Sequence, residues 1–373
     1  MAALTPPEFV HIDPAAIEAD LVRRYEEKSG KTLYPAQVER LFIDQIAYAK
    51  TLILTAIQHA GEQLLVRYSN GPILDYLGDL VSTPRLLAGA ANTTLRFTVP
   101  AAAAVRIIPA GTRVTTSDGK VGFATDQDTS IPVGSTQAST SATCEAVGVV
   151  GNGWAVGQLN TLPAPPFDGL VVTNTVESVD GADEEGDERY RERIILAPEA
   201  YTTAGSRGAY RYHALAAHQS ILDVAVLGPD DVSGPADGNV DVYVLMTDGL
   251  PSAGMLDIIR AKLSAEKVRP LCDTVNVYAA VEVTWSIKAH LTLFASAERS
   301  TSLAAAELAA EAYAADRRAG LGRDVVPEQI IAALQVDGIY RAVLELPALA
   351  TVHAHEWANC ISIELTDAGV ADG

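Results

Sequence analysis

Apolar side chains recur at steps of three and four residues over a long stretch near the N-terminus, and no other sequence feature constrains the fold as strongly. The recurring residues are Leu41, Phe42, Ile46, Ala49, Ile53, Ala56, Ala60 and Leu64. This spacing predicts an α-helix with one apolar face. Pro35 can open the helix and Asn70-Gly71-Pro72 can end it, so we expect about 33 residues, or a rod of about 50 Å. The stripe either crosses a core or contacts another chain.

Helical signals also precede this stretch, whereas strand signals follow it. Asp13-Pro14 predicts a capped helix that ends near Ser29-Gly30. From about residue 93 to 175, short runs of alternating apolar and polar residues are separated by Gly, Pro, Ser and Asn. Asp118-Gly119 predicts a hairpin within this region. We therefore expect an all-β insert.

The remaining half of the chain mixes helix and strand patterns. Helices are predicted over 183–196, 205–218, 252–268, 301–318 and 327–336. Strands are predicted over 221–227, 240–246, 274–283, 285–294, 340–346 and 361–365. This order implies two small α+β sandwiches in tandem.

Together these patterns predict an α+β multidomain protein. Residues 1–92 would form an N-terminal helical region with the long helix, and residues 93–176 the all-β insert. Residues 177–284 and 285–373 would form the two α+β sandwich domains. A length of 373 residues agrees with two to four domains.

The composition excludes several classes of protein. Because 48% of the residues are hydrophobic and 20% are charged, the chain can bury real cores and is not largely disordered. Its formal net charge of −20 repels phosphate backbones and anionic lipids. We therefore expect neither nucleic acid nor a membrane as a partner, and no apolar run reaches the roughly 20 residues that cross a bilayer.

The N-terminus and the cysteines indicate the compartment of synthesis. Residues 1–8 lack the basic leader and the apolar segment of a secretory signal, so none is expected. Cys144, Cys272 and Cys360 are odd in number and far apart in sequence. This usage favours reduced thiols in a protein made in a cytoplasm.

Six carboxylates fall within residues 180–188, and three arginines follow at 189, 191 and 193. Acids in the first turn and bases further along suit the helix dipole, so we interpret the run as the solvated start of a helix near residue 183. A calcium loop of the EF-hand type is disfavoured, because Arg191 stands where the closing glutamate is needed.

Three local patterns resemble catalytic or binding motifs, and none is complete. Ser206 lacks the preceding strand of a nucleophile elbow and is interpreted as a polar helix start. Residues 320–323 lack the third glycine of a dinucleotide loop and are predicted to be a turn. His353 and His355 would share one strand face beside Glu356, which leaves a metal-dependent hydrolase as a minor hypothesis. We predict no enzyme, no cofactor, and no catalytic or metal-ligating residue.

Seven stretches, each weak alone but specific in combination, carry a family resemblance. They are PPEF at 6–9, YEEKSGKTLYPAQVER at 25–40, LDYLG at 74–78, GADEEGDERYRER at 181–193, TAGSRGAY at 203–210, VRPL at 268–271 and GLGR at 320–323. In this order they resemble the baseplate J-like family, the inner wedge component of contractile phage tails and related contractile injection particles. Gly186 stands where many relatives have serine.

The resemblance implies a structural role without catalysis. In that family, copies of this chain make homodimer contacts and join a second wedge protein in a heterotrimeric wedge. Such wedges form a ring around the central hub and spike, contact sheath-initiator and fibre-linked baseplate proteins, and relay the contraction trigger to the sheath. The implied location is the tail baseplate of a virion assembled in the bacterial host cytoplasm. Phage, bacteriocin and other injection particles all stay open.

The leading hypothesis assigns the N-terminal helices to an intersubunit bundle and the C-terminal sandwiches to the ring. The alternative is a host-surface or carbohydrate-binding tail protein that uses the β insert as its receptor module. That alternative needs an aromatic cleft, and the insert offers only widely spaced aromatic side chains at Phe123, Trp154 and Phe167.

Overall fold

The computed structural model describes residues 5–100, 104–201, 205–265, 268–270 and 272–372. Its contacts divide the chain into two compact units. The first comprises Met1–Arg85 and Gly186–Ala197, and the second comprises Leu86–Glu185 and Pro198–Gly373. Across the described residues the fold is mixed α+β, which agrees with the predicted class.

The first unit is helical. It contains α1 (Pro14–Ser29), α2 (Val38–Gln63), α3 (Gly71–Asp79) and α4 (Asp187–Leu196). The predicted bounds of α1 are confirmed, because Asp13 Oδ1 accepts a hydrogen bond from Ala16 N at 3.0 Å and caps its first turn. At its other end Gly30 adopts a φ of 68°, a left-handed conformation that glycine reaches without strain.

The predicted length of the long helix is wrong, because α2 ends at Gln63. At 26 residues it spans about 39 Å. The chain turns over residues 64–70, and the buried Gln63 side chain accepts a hydrogen bond from Asn70 N at 3.0 Å. Arg191 of α4 donates to Val66 O and Ser69 O at 2.9 and 2.7 Å. These bonds satisfy turn carbonyls that a continuous helix would have paired internally.

The segment predicted to end the long helix instead opens α3. Gly71 is the first residue of α3 and Pro72 lies in its first turn, where a missing N–H costs nothing. Leu74 of α3 packs with Tyr190 and Ile194 of α4 in one buried cluster. A Cβ on Gly78 would come within 1.9 Å of the Tyr190 hydroxyl, so only glycine permits this close approach.

The second unit begins with the predicted β region, whose strands are confirmed. They are β1 (Ala90–Thr98), β2 (Arg106–Ile108), β3 (Arg113–Thr116), β4 (Gly122–Thr125), β5 (Thr129–Ile131), β6 (Gln137–Val147), β7 (Leu159–Thr161) and β8 (Val171–Asn174). Six of them form an antiparallel sheet in the order β7-β3-β4-β6-β1-β8, while β2 pairs with β5. The edge strands β7 and β8 contact each other, so the sheet is nearly closed into a barrel.

The predicted hairpin joins β3 and β4. Val114 pairs with Phe123 across it, and Gly119 in the turn has a φ of 71°. Both side chains are fully buried with Leu95 and Phe97 in the barrel core. Buried and exposed residues therefore alternate along β1 because one side of the strand faces the barrel core, as the sequence pattern predicted.

A three-stranded sheet follows the barrel. Its elements are α5 (Arg207–Leu215), β9 (Ile221–Leu227), β10 (Asn239–Met246), α6 (Ala253–Leu263) and β11 (Thr274–Ala279). The strand order is β11-β10-β9, and α6 connects the parallel strands β10 and β11. Helix α6 is shorter than the predicted helix over 252–268, of which residues 266 and 267 lie outside the described residues. The strand predicted over 274–283 ends at Ala279.

A second three-stranded sheet ends the chain. Its elements are β12 (Val281–Phe294), α7 (Arg299–Arg318), α8 (Pro327–Leu334), β13 (Ile339–Leu346) and β14 (Glu356–Ala371). The strand order is β13-β12-β14, with β14 parallel to β12. Helix α7 packs on this sheet through the fully buried Ala306, Ala310 and Ala314, whose small side chains bring the helix close. The division into four domains at residues 92, 176 and 284 stays a prediction.

Candidate functional site

An apolar surface on α2 remains exposed in the folded chain. Eight large apolar side chains of this helix are 48–67% exposed: Val38, Leu41, Phe42, Ile46, Tyr48, Leu52, Ile53 and Ile57. We call these eight residues the α2 stripe. They include part of the stripe that the sequence predicted, and the structure shows that this part does not cross the core of the chain. A continuous exposed apolar surface of this kind is typical of protein contacts.

The opposite side of α2 is covered from within the chain. Helix α1 packs against α2, and Ile17, Ile43 and Ala47 are buried. The Gln58 side chain accepts hydrogen bonds from the backbone near the N-terminus, including one from Phe9 N at 2.8 Å. The Phe9 ring lies over Gly61, where a Cβ would come within 2.6 Å of it. One side of α2 is therefore fully used for folding, and the α2 stripe is not.

The spacing on the exposed side has the form of a coiled-coil seam. Phe42, Ile46, Ala49, Ile53, Ala56 and Ala60 follow one another at alternating steps of four and three residues. Helices that carry this spacing pack along each other by inserting side chains between those of the neighbour. Ile46 and Ile53 take the β-branched positions of the seam, while Ala49 and Ala56 leave room for a close helix. The spacing of the apolar residues in the sequence predicted this seam. It did not predict that Tyr48, Leu52 and Ile57 beside the seam would also be exposed.

The α2 stripe carries little charge although the chain carries a net charge of −20. Within residues 38–57, which span the α2 stripe and are all described, Glu39 and Lys50 are the exposed Lys, Arg, Asp or Glu side chains. Asp44 is half-buried and pairs with Arg40 of the same helix at 3.2 Å. Arg40 also pairs with Glu18 of α1. Two copies can therefore meet through most of this surface, with Glu39 as the one exposed carboxylate that each copy brings within this span.

The expectation that His353 and His355 share a strand face is wrong, because they lie in the turn before β14. Their rings stack with centroids 6.1 Å apart, and His355 packs on Tyr243 at 4.9 Å. Glu356 Oε2 accepts a hydrogen bond from His353 N at 2.7 Å. The part of the chain that the structure describes contains no group of three or more His, Cys, Asp or Glu side chains able to hold a metal ion.

The carboxylate run is solvated only in part, since Asp183, Glu184 and Glu188 are exposed, and α4 starts at Asp187 instead of near residue 183. In the second unit, Asp183 Oδ1 accepts a hydrogen bond from Val149 N at 3.2 Å. Glu185 Oε2 accepts one from Leu86 N at 3.1 Å. Asp180 adopts a left-handed φ of 69° and accepts from Ser252 Oγ at 3.2 Å, while burial raises its pKa.

In the first unit, the same run contributes Asp187 to the start of α4. Its Oδ2 accepts a hydrogen bond from Gly71 N at 2.9 Å, and its Oδ1 pairs with Arg85 at 2.8 Å. The bond from Gly71 and then the Arg85 guanidinium hold the pKa of this carboxyl below its usual range. The bound carboxylates of the run thus accept hydrogen bonds from backbone and side-chain groups of the same unit, and they do not form a ligand site.

The remaining motif residues have structural positions. Ser206 Oγ accepts a hydrogen bond from Ala209 N at 3.2 Å and caps α5, which confirms its interpretation as a helix start. Residues 320–323 form the predicted turn between α7 and α8, with Leu321 N bound to Asp223 Oδ2 at 2.9 Å. Neither arrangement presents a reactive group.

The aromatic residues of the barrel do not line an open cleft together. Phe123 is fully buried in the barrel core, while Trp154 and Phe167 pack partly against that core. The Arg106 guanidinium lies over the Phe167 ring at 5.1 Å. Phe123 is therefore unavailable to a sugar ligand.

Helices of the described residues are all too short or too polar to cross a membrane.

Three family domains match the chain, in one order and without overlap. The baseplate J-like protein barrel domain matches residues 94–181, the baseplate J-like central domain matches 202–279, and the baseplate J-like protein C-terminal domain matches 285–366. The chain belongs to the baseplate J-like family. The predicted family is thereby confirmed, although the stretches at 6–9, 25–40 and 74–78 lie outside the matched ranges. The three matched ranges do not include the α2 stripe.

A curated relative adds to this assignment. Baseplate protein J of Escherichia phage P2 is 37% identical over 163 residues, which is 44% of this chain and 52% of that protein. The chain thus spans about half the length of this curated relative. A chain of the anti-feeding prophage (AFP) baseplate is 13% identical with a TM-score of 0.43, over 93% of this chain and 90% of that one.

Proposed function

We propose that this chain is a structural, non-enzymatic component of the baseplate of a contractile tail, located in the virion. The matches to three baseplate J-like domains and the similarity to Baseplate protein J of phage P2 support this role.

The finer proposal is a wedge subunit that makes homodimer contacts through the α2 stripe. In a heterotrimeric wedge, a second wedge protein adds a further helix to the same bundle. The observation that carries this proposal is the exposed seam on α2, because its spacing suits helix packing. Glu39 is the one exposed carboxylate within the fully described span of the α2 stripe, which limits repulsion between copies.

The energy of such a contact is large enough to matter. An Ile or Leu that is half exposed gains about 1 kcal/mol when it becomes buried. Eight such side chains on each of two copies give about 16 kcal/mol. Association costs about 4–15 kcal/mol. The two sums are of similar size, so the contact is feasible and depends on most of the α2 stripe.

The C-terminal sheets complete the proposal. We infer that they form the ring around the central hub and spike, and that the ring relays the contraction trigger from fibre-linked proteins to the sheath. Compact α+β modules can repeat one contact around a closed ring. Assembly would take place in the bacterial host cytoplasm.

Negative-stain microscopy of particles that lack this gene product tests the role. We expect tails without baseplates, and a plasmid copy of the gene should restore them. Normal tails that contract in the absence of the protein would overturn the proposal. Binding of host glycans to the purified chain would instead revive the receptor hypothesis, which the burial of Phe123 disfavours.

A further inference from the structure

The outer edge of β14 is open to another strand. This strand is 16 residues long and pairs with β12 on one side only. Among the described residues, no strand pairs with its other side. A long edge strand exposes unpaired N–H and C=O groups that can bind an extended segment of another chain.

The protection of this edge strand lies at its beginning and at two bulges, one at residue 361 and one between residues 367 and 370. Gly322 N donates to Glu356 O at 3.0 Å, and Trp357 Nε1 donates to Arg318 O at 3.1 Å, so the turn after α7 covers the first two residues. Beyond them β14 contains no proline, lysine or arginine. Ile361 is 64% exposed at the middle of the strand. Between the two bulges, residues 362–367 pair regularly with β12 and include neither proline nor a basic residue, so this part of the edge can accept an added strand.

A groove runs between this edge and α7. It encloses about 550 Å³, and its lining includes Glu307, Glu311 and Arg318 of α7 together with Cys360 and Ile361 of β14. Glu307 and Glu311 are exposed and form no ion pair with a described residue. A strand added along β14 would lie beside these two carboxylates and the exposed isoleucine.

Charge decides which kind of strand fits. A second copy would bring Glu356, Glu364 and Asp367 on its own β14, and no basic residue. Asp367 is paired with Arg299 of its own copy, whereas Glu364 is exposed. With Glu307, Glu311 and Arg318 the groove has a net charge of −1, so a strand that adds carboxylates is repelled. A segment in which lysine or arginine alternates with apolar residues would pair its charges with the α7 carboxylates and its apolar side chains with Ile361.

We propose that the outer edge of β14 and the facing carboxylates of α7 bind an extended, basic segment of a different protein as an added β-strand. The surface lies in a different unit from the α2 stripe, and the proposal does not depend on the proposed function. It identifies one place where a chain of net charge −20 would receive a basic partner.

The test uses the full chain and a synthetic peptide of about nine alternating lysine and valine residues, the length of an ordinary strand. Hydrogen–deuterium exchange should slow at residues 359–366 when this peptide binds. A peptide with glutamate in place of lysine should not protect them. A lysine–valine peptide with N-methyl groups on every second residue should also fail, because it cannot complete the backbone ladder.

Two charge variants separate this site from general attraction to an acidic protein. Glu307→Lys with Glu311→Lys should weaken peptide binding about tenfold, since it opposes like charges at the groove. The control, Asp230→Lys with Asp237→Lys, makes the same change in net charge on an exposed loop and should change binding less than about twofold. Melting temperatures should show that both variants fold.

Three results would overturn the proposal. One is protection elsewhere than 359–366, and another is equal weakening by the two variant pairs. The third is protection of 359–366 in the free chain that disappears on dilution, because a second copy would then occupy the edge.

Discussion

The side-chain oxygen of Asn174 accepts a hydrogen bond from the backbone N–H of Leu159 at 3.1 Å, which ties β8 to β7 where the barrel closes. The same oxygen accepts from Gly157 N at 2.9 Å. The amide nitrogen donates to Trp154 O and Val176 O at 3.1 and 2.9 Å. Asn174 is fully buried, so these backbone groups have no water to replace it.

We therefore predict that Asn174→Ala lowers the free energy of unfolding of the barrel by about 3 kcal/mol or more, because several buried backbone groups lose their partner. Urea denaturation followed by tryptophan fluorescence measures this change. Asn160→Ala is the control: its side chain is exposed, donates to Gly157 O and accepts from Thr161 Oγ1, so it should cost less than about 0.5 kcal/mol. Equal losses in the two variants would contradict the role of Asn174.

Arg191→Met tests the turn that ends α2. Methionine keeps the apolar stem but leaves Val66 O and Ser69 O without donors, so we expect a loss of about 2–4 kcal/mol. Hydrogen exchange at residues 64–70 should accelerate strongly. Arg23→Met removes only exposed pairs within α1 and should leave that exchange unchanged. Unchanged exchange in Arg191→Met would show that the turn is held by other contacts.

The α2 stripe makes a prediction about association. Ile46→Asp with Ile53→Asp should abolish concentration-dependent self-association of the purified chain in sedimentation velocity, because each charge would be buried in the contact. The melting temperature should stay within about 2 °C, since both side chains are more than half exposed in the free chain. Ile43→Asp, at a buried position of the same helix, should instead unfold the helical unit. A double variant that sediments like the parent would exclude this surface.

Glu298 gives a prediction about pH. Hydrogen bonds from Thr301 and Ser300 at the start of α7 lower the pKa of Glu298 to about 2. Its folded-state pKa thus lies below the unfolded value near 4.3, so the carboxylate stabilises the fold above about pH 4. That contribution is lost as the pH falls toward about 2. Glu298→Gln should melt at a lower temperature than the parent near pH 7 and at the same temperature near pH 2. Glu307→Gln should have the melting temperature of the parent at both pH values. A lower melting temperature of Glu298→Gln that persists near pH 2 would contradict the role of this carboxylate.

Features whose causes lie within a few residues could be predicted from the sequence. Asp13, Pro14 and Gly30 sit next to the ends of the helix that they define, and Gly119 lies inside the turn that it permits. Ser206 was likewise interpreted correctly from its neighbours. In each case the hydrogen bond or the φ angle that decides the structure is local.

Features whose causes lie far along the chain could not be predicted. Arg191 and Ser69, which meet at the end of α2, are 122 positions apart. Glu185 binds Leu86 N across 99 positions, so no residue near Glu185 in the sequence indicates this bond. The apolar residues of α2 recur with the period of a helix, which the sequence shows. Only the packing of α1 and Phe9 reveals which side of the helix is covered. The length of β14 likewise depends on its pairing with β12.

Complementation of a deletion strain tests the central claim most directly. Particles from a strain that lacks this gene are imaged by negative-stain electron microscopy after supply of the parent protein or of Ile46→Asp with Ile53→Asp. We predict complete baseplates with the parent and tails without baseplates with the double variant, although both proteins accumulate to equal levels. Complete baseplates with the double variant would show that the α2 stripe is not what joins this protein to its neighbours.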